Sequence, residues 1–253
     1  MKKFFKNNFF LNLRNLFGIK PSYFNINNLD ENKSISDAFF WRVDQNFSTI
    51  FRYTDLTKYF LNENSELTLF FFDNKNNFIK KVNINNESLI SSELKIDFNL
   101  LNNESSYGTF YVFHKIYKKI NISIRQSCYT GYSFKKNLNS FVHGNIPVAN
   151  NNLYKPNAKN KYGLVGYNLF INKTYRVQNY LGDYDNVEIM LMNPCNKKIT
   201  IETNSSKFNL NIGESKILEM NNLKKSIALK SRCYLLRPII FAYKNDFLDV
   251  FHG

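Results

Sequence analysis

The feature that most constrains the fold is an alternation of apolar and polar residues with a period of two, interrupted by asparagine-rich turns. The clearest example is 65–84, where Leu67, Leu69 and Phe71 alternate before a turn at 73–77 and a second apolar run follows it. Because successive side chains of a strand point to opposite faces, this pattern predicts a β-hairpin. Comparable runs recur through most of the chain, so the sequence predicts an all-β fold.

An asparagine-rich stretch with little apolar periodicity, 148–161, interrupts these strands and predicts a linker. It separates two predicted β-sandwich units, 37–147 and 162–253, each with the strand density of an immunoglobulin-like or jelly-roll-like domain. Residues 1–36 form a third region, which is predicted to contain an amphipathic helix followed by a connecting segment.

The two predicted units also share an ordered series of sequence anchors. The matched segments are 67–84 with 187–204, Phe51-Arg52 with Tyr175-Arg176, Cys128-Tyr129 with Cys233-Tyr234, and the His-Gly segments 139–145 with 248–253. A series of anchors in the same order predicts an internal repeat. We therefore expect two tandem sandwiches of the same design.

The amino-terminal segment has a helical period instead. Its apolar residues Phe5, Phe9, Leu13, Leu16 and Phe17 fall on one helical face, and its interrupted apolar run predicts neither a signal peptide nor a spanning helix. Two placements follow from this pattern. The Phe-rich face could contact a membrane surface through Phe5, Phe9, Leu13 and Phe17, or it could pack on its own domain, which is favoured because most amphipathic helices do so.

The charge balance narrows the choice of partners. The chain has a formal net charge of +14, which favours association with anionic molecules. Its lysines are scattered in pairs rather than concentrated on one stripe, which argues against a nucleic-acid-binding protein. Three widely spaced cysteines fit no disulfide framework or metal motif, so the sequence predicts a cytoplasmic protein without a cofactor.

Two arginines in the matched anchors, Arg52 and Arg176, are the first candidate ligand-binding residues. A guanidinium group binds a carboxylate or phosphate through two parallel hydrogen bonds, which suits the capture of an anionic ligand. The alternative is that each arginine pairs with an acid of the protein, such as Asp55, Asp183 or Asp185.

Two histidines in the His-Gly segments, His143 and His252, are the other candidates, because the unperturbed pKa of histidine lies closest to neutrality. The alternative is that each one only ends a strand. No histidine or cysteine spacing typical of a metal site is present, so no metal is expected. The sequence identifies no catalytic residue, since nucleophile and phosphate-loop motifs are absent and the strand positions of Cys128 and Cys233 predict buried structural thiols.

Aromatic residues allow a further reading. Trp41, Tyr129, Tyr132 and Tyr167 suit a platform that stacks against sugars, and they suit a hydrophobic core equally well.

The leading hypothesis is a non-catalytic binding or accessory protein whose basic surface or inter-unit groove binds a carbohydrate or another anionic molecule. The alternatives are an enzyme of saccharide or nucleotide-sugar metabolism with a site between the repeats, and a structural or assembly subunit.

Overall fold

The computed structural model describes the central and carboxyl-terminal parts of the chain. The described residues are 9, 13, 36–85, 91–102, 105–116, 127–135, 137–144, 146–148, 167–168, 170–177, 181–195, 197–204, 206–220, 227–233 and 236–253. Phe9 and Leu13 are helical, and both side chains are exposed. The other residues of the predicted amino-terminal helix, including Phe5, Leu16 and Phe17, lie outside the described residues, as does 149–161 of the predicted linker. In the part of the chain that is described, no helix is long and apolar enough to cross a membrane.

The described residues between 36 and 148 form strands and two short helices. They are β1 (Ser36–Arg42), β2 (Phe47–Thr54), α1 (Leu56–Leu61), β3 (Ser65–Asp73), β4 (Phe78–Asn85), β5 (Ser91–Ile96), α2 (Phe98–Leu101), β6 (Tyr107–Ile116), β7 (Ser127–Phe134), β8 (Ser140–His143) and β9 (Ile146–Val148). The second half forms strands, which are β10 (Lys173–Arg176), β11 (Asn186–Met192), β12 (Ile199–Glu202), β13 (Lys207–Leu210), β14 (Ser215–Glu219), β15 (Ala228–Ser231), β16 (Ile239–Lys244) and β17 (Phe247–His252).

These strands form four antiparallel sheets. Sheet I has the order β4-β3-β6-β1-β9, and sheet II has the order β5-β2-β7-β8. Sheet III has the order β14-β11-β16-β17, and sheet IV has the order β10-β15-β12-β13. Apart from β9, sheet IV repeats the strand order of sheet I, and sheet III repeats that of sheet II. The two halves therefore share one topology, in which β1 to β8 correspond to β10 to β17.

The prediction of two tandem β-sandwiches is wrong. The four small sheets are arranged as a four-bladed β-propeller. All four sheets contribute side chains to one hydrophobic core, in which sheet I supplies Phe70 and Tyr111, sheet II Tyr132 and Val142, sheet III Ile189 and Phe241, and sheet IV Ile199 and Leu229. The alternation was a good guide to strands, but it carries no information on which sheet a strand joins.

A second hydrophobic cluster lies between sheets I and II. The Phe39 ring stacks on Phe110 with 5.2 Å between centroids and meets the edge of Phe51 at 5.5 Å. Because sheet I also faces the common core, β3 is buried on both faces from Leu67 onward. This explains the continuous apolar run of β3, which strand alternation alone would not produce.

Two local predictions need correction. The hairpin at 65–84 is confirmed as β3 and β4, but its proposed match at 187–204 is not a hairpin, because β11 belongs to sheet III and β12 to sheet IV. The Asn193 side-chain amide fixes this crossing between sheets by donating to the carbonyl oxygens of Lys197, Leu210 and Asn211 at 2.7–3.1 Å. The apolar run that ends β5 also continues into the short helix α2 instead of a longer strand.

Candidate functional site

Two of the four predicted site residues lie in one line on the outer face of sheet II. The backbone register places Glu93 of β5, Arg52 of β2, Tyr129 of β7 and His143 of β8 directly opposite one another across the sheet. Residues that are directly opposite share a face, so their side chains are neighbours. We call these four residues the Arg52 row.

The side chains of the Arg52 row contact one another. Arg52 Nε donates to Glu93 Oε2 at 2.5 Å, and about half of each side chain is exposed. The rings of Tyr129 and His143 lie 4.6 Å apart between centroids, with an interplanar angle of 43°. The acid that pairs with Arg52 is therefore Glu93, and none of the acids suggested by sequence proximity.

Phe141 of β8 extends this surface beside the row. Its ring centroid lies 4.6 Å from the Arg52 guanidinium carbon, which is a cation–π distance. Phe141 is directly opposite Gly131 of β7, where a Cβ would overlap the ring. Glycine at 131 therefore lets the ring lie flat across β7 and reach Arg52.

A shallow cavity of about 680 Å³ opens on one side of the row. Its lining consists of Arg52, Tyr53, Thr54, Ser91, Ser92, Glu93 and Tyr129. Arg52 and Glu93 neutralise each other, so this lining carries no net charge although the protein is strongly basic. The groups that line the cavity are therefore hydroxyl groups, the Arg52–Glu93 ion pair and the ring of Tyr129.

The third predicted residue, His252, is next to the row because the edge strands β8 and β17 lie side by side. Asn137 Nδ2 donates to Asp246 O at 2.8 Å, and Ser140 Oγ donates to Asp249 Oδ1 at 3.4 Å. Both pairs are 109 residues apart, as are His143 and His252. Equivalent positions of the two halves thus face each other along this contact, which we call the seam.

The His252 ring occupies one end of the seam. It lies against the backbone of His143 and Pro238, but neither ring nitrogen has a hydrogen-bond partner of good geometry. Burial and the positive charge of Arg237 lower the pKa of His252 to about 4. His252 is therefore neutral at physiological pH.

The fourth predicted residue, Arg176, is not brought to this site. It is exposed at the end of β10, and it forms no ion pair with the described residues. By topology its equivalent is Arg42 at the end of β1, so the pairing of Arg176 with Arg52 is wrong. Both strands end in an aromatic residue followed by arginine, Trp41-Arg42 and Tyr175-Arg176, and this signal was present in the sequence.

Arg42 lies in a largely buried polar cluster at the junction of the two halves. Its guanidinium group binds the Glu188 carboxylate, which also accepts a hydrogen bond from Tyr243 Oη. The Arg42 guanidinium carbon lies 3.8 Å from the centroid of the Phe47 ring. Burial and the hydrogen bond to Glu188 raise the pKa of Tyr243, so the phenol stays protonated. A cavity of about 530 Å³ opens beside this cluster.

The structure separates the candidate sugar-stacking residues. Trp41 and Tyr132 are completely buried and donate to the carbonyl oxygens of Phe72 and Phe40, both at 2.9 Å. Tyr129 is half-buried on the outer face of sheet II. All three cysteines are buried and free of disulfides. No group of three or more potential metal ligands occurs among the described residues.

Comparisons with known proteins do not identify a family. No family model matches the chain, and no curated protein sequence is similar to it. Among solved structures, a chaperone-tip adhesion subunit pre-assembly complex from archaic chaperone-usher Csu pili of Acinetobacter baumannii is 8% identical. That match covers 86% of this chain and 90% of the other with a TM-score of 0.16, which is too low to show a common fold.

Proposed function

We propose that the protein is a non-catalytic binding protein and that the Arg52 row binds an uncharged saccharide. The observation that carries this proposal is the Tyr129–His143 ring pair beside a cavity lined by hydroxyl groups and the neutralised Arg52–Glu93 pair. Sugars are recognised by ring stacking on their apolar faces combined with hydrogen bonds to their hydroxyl groups.

The local charge supports a neutral saccharide over a strongly anionic ligand. A phosphate or carboxylate would have to compete with Glu93 for Arg52, whereas a hydroxyl group can bond to either member of the pair without separating it. The positive charge of the protein still accelerates the approach of polymers that carry acidic groups elsewhere. It does not determine what the row itself contacts.

The row also favours binding over catalysis. General acid–base chemistry is served by a titratable group whose pKa is shifted towards the working pH in a site that excludes water. Here the carboxylate is half-exposed and held by an arginine, and His143 is on the open sheet surface. We extend the proposal to a cytoplasmic location, which is supported by the three buried thiol groups.

The decisive experiment measures saccharide binding by Tyr129→Ala. Isothermal titration against neutral and acidic oligosaccharides should find a neutral ligand, and removal of the ring should weaken its binding at least about tenfold, or about 1.4 kcal/mol. Tyr59→Ala is the matched control, because Tyr59 is an exposed tyrosine on α1 that does not line the cavity. Binding of acidic oligosaccharides alone, or equal losses in both variants, would overturn the proposal.

A further inference from the structure

Sheets II and III meet at the seam without a backbone hydrogen-bond ladder, because β8 and β17 are the edge strands of separate sheets. The contacts between them are made by side chains. Besides Asn137 and Ser140, Lys135 Nζ binds Asp246 Oδ1 at 2.6 Å, and the Val250 amide donates to Ser140 Oγ at 2.9 Å. Val142 of β8 and Val250 of β17 also pack in the common core, so the interface is held by side chains throughout, and such an interface opens more readily than a strand ladder.

The histidine end of the seam differs from the rest. His252 lies near the positive charge of Arg237 and against the backbone of His143 and Pro238, and the described residues supply no carboxylate that pairs with His252. The nearest acid along β17, Asp249, already accepts hydrogen bonds from Tyr184 Oη at 3.0 Å and from Ser140. A proton on His252 would therefore add a largely buried positive charge close to Arg237, with only backbone groups and no carboxylate to offset it.

Opening of the seam would also disturb the candidate binding surface. β8 is the outermost strand of sheet II and carries both His143 and Phe141, whose rings contact Tyr129 and the Arg52 guanidinium group. Arg52 itself is neutralised by Glu93, so it adds little to the repulsion at the histidines. Displacement of β8 would remove two rings from the row.

We propose that protonation of His252, which faces His143 across the seam, opens the seam and releases saccharide from the Arg52 row, so that the protein binds near neutral pH and releases on acidification. The regulatory part of this proposal rests on the proposed function. The opening of the seam does not, since it follows from the contacts between β8 and β17 and from the surroundings of His252.

Linkage gives the direction and the pH range. His252 has a pKa of about 4 when the seam is closed and is expected to return towards its ordinary value near 6.5 when solvent reaches it. The closed form is therefore fully favoured above pH 6.5 and is lost progressively as the pH falls from 6.5 to 4. Because the ring is only partly buried, we expect about a tenfold shift towards the open form at pH 5.

The test compares the full-length protein with His252→Gln at pH 7 and pH 5. Amide hydrogen exchange, corrected for the intrinsic rate at each pH, should increase about tenfold in β8 and β17 of the wild type on acidification, and saccharide affinity should fall in proportion to the loss of the closed form. Both changes should be absent in His252→Gln. Unchanged exchange in the wild type, or an equal response in the variant, would overturn the proposed opening.

A second variant covers the case in which His252→Gln folds poorly. Arg237→Gln removes a positive charge that lowers the pKa of His252, so it should reduce the response to acidification without removing the histidine. An undiminished response would contradict the role of charge repulsion. If no saccharide binds at pH 7, the proposed function fails, whereas an exchange increase that requires His252 would still support opening of the seam.

Discussion

The Arg52 row and its topological equivalent in the second half have opposite environments. In sheet III the residues directly opposite one another are Ile217, Met190, Ile239 and His252, on β14, β11, β16 and β17. Met190 and Ile239 are buried in the common core, where Ile217 also packs. The same four strand positions thus form an open polar row in one half and part of the core in the other.

This difference shows that the strand order does not determine which face of a sheet is buried. Sheets II and III have the same order, but the second half uses this row to join the four sheets, whereas the first half leaves it accessible. Of the four positions, only the one on the edge strand has the same residue type in both rows, which is histidine at 143 and 252. At these four strand positions, the described residues thus form an accessible row of mixed aromatic and polar residues in the first half and not in the second.

The largest loss of stability is expected when a charged residue, as in the Arg52 row, replaces a buried residue of the equivalent row in sheet III. Met190→Arg places a charge in the core without a partner, so the protein should fail to fold or lose more than about 4 kcal/mol of unfolding free energy. Urea denaturation followed by circular dichroism measures this loss. Met190→Leu keeps the volume and should cost less than about 1.5 kcal/mol. A small loss in Met190→Arg would show that this row is not buried.

A second comparison uses the equivalent arginines Arg42 and Arg176. Arg42→Ala should cost about 3 kcal/mol because it leaves the buried carboxylate of Glu188 without its cation. Arg176→Ala should change stability by less than about 0.5 kcal/mol, since this side chain is exposed. Adding Glu188→Gln to Arg42→Ala should restore part of the loss. Equal losses in the two arginine variants would argue against a specific role for the Arg42–Glu188 pair.

The smallest effect on stability is expected when an apolar residue replaces the half-exposed arginine of the Arg52 row. Arg52→Met should change the free energy of unfolding by less than about 1 kcal/mol, because half-exposed ion pairs contribute little. The same variant should weaken saccharide binding, since it removes the donor beside the cavity. Denaturation and titration of one preparation separate the two effects. A large loss of stability would mean that Arg52 supports the fold.

Much of the local structure was predictable from the sequence. The hairpin of β3 and β4 follows from its alternating residues and its asparagine-rich turn, and Asn76 has a left-handed backbone with φ of 68° in that turn. The short helices α1 and α2 were missed although each has an aspartate cap, Asp55 and Asp97, that accepts from the third following amide. Six residues or fewer contain too little periodicity to distinguish a helical turn from a strand end.

The candidate site was predictable only in part. The repeated His-Gly segments indicated His143 and His252, which do face each other, but nothing in the pattern placed Arg52 opposite Tyr129 and His143. That alignment depends on the pairing of β2 with β7 and of β7 with β8, which involves residues far apart in the chain. Arg42 was missed because its equivalence to Arg176 depends on sheet order.

The sequence by itself determined the strands, the main turns and the chemical character of each side chain, because alternation and turn residues act over a few neighbouring positions. The tertiary structure alone decided that the strands form four sheets arranged as a propeller, that Arg42 is buried and Arg176 exposed, and that the two histidines meet at the seam. The physical reason is that sheet pairing and burial depend on contacts between distant segments, and several pairings are compatible with one alternating pattern.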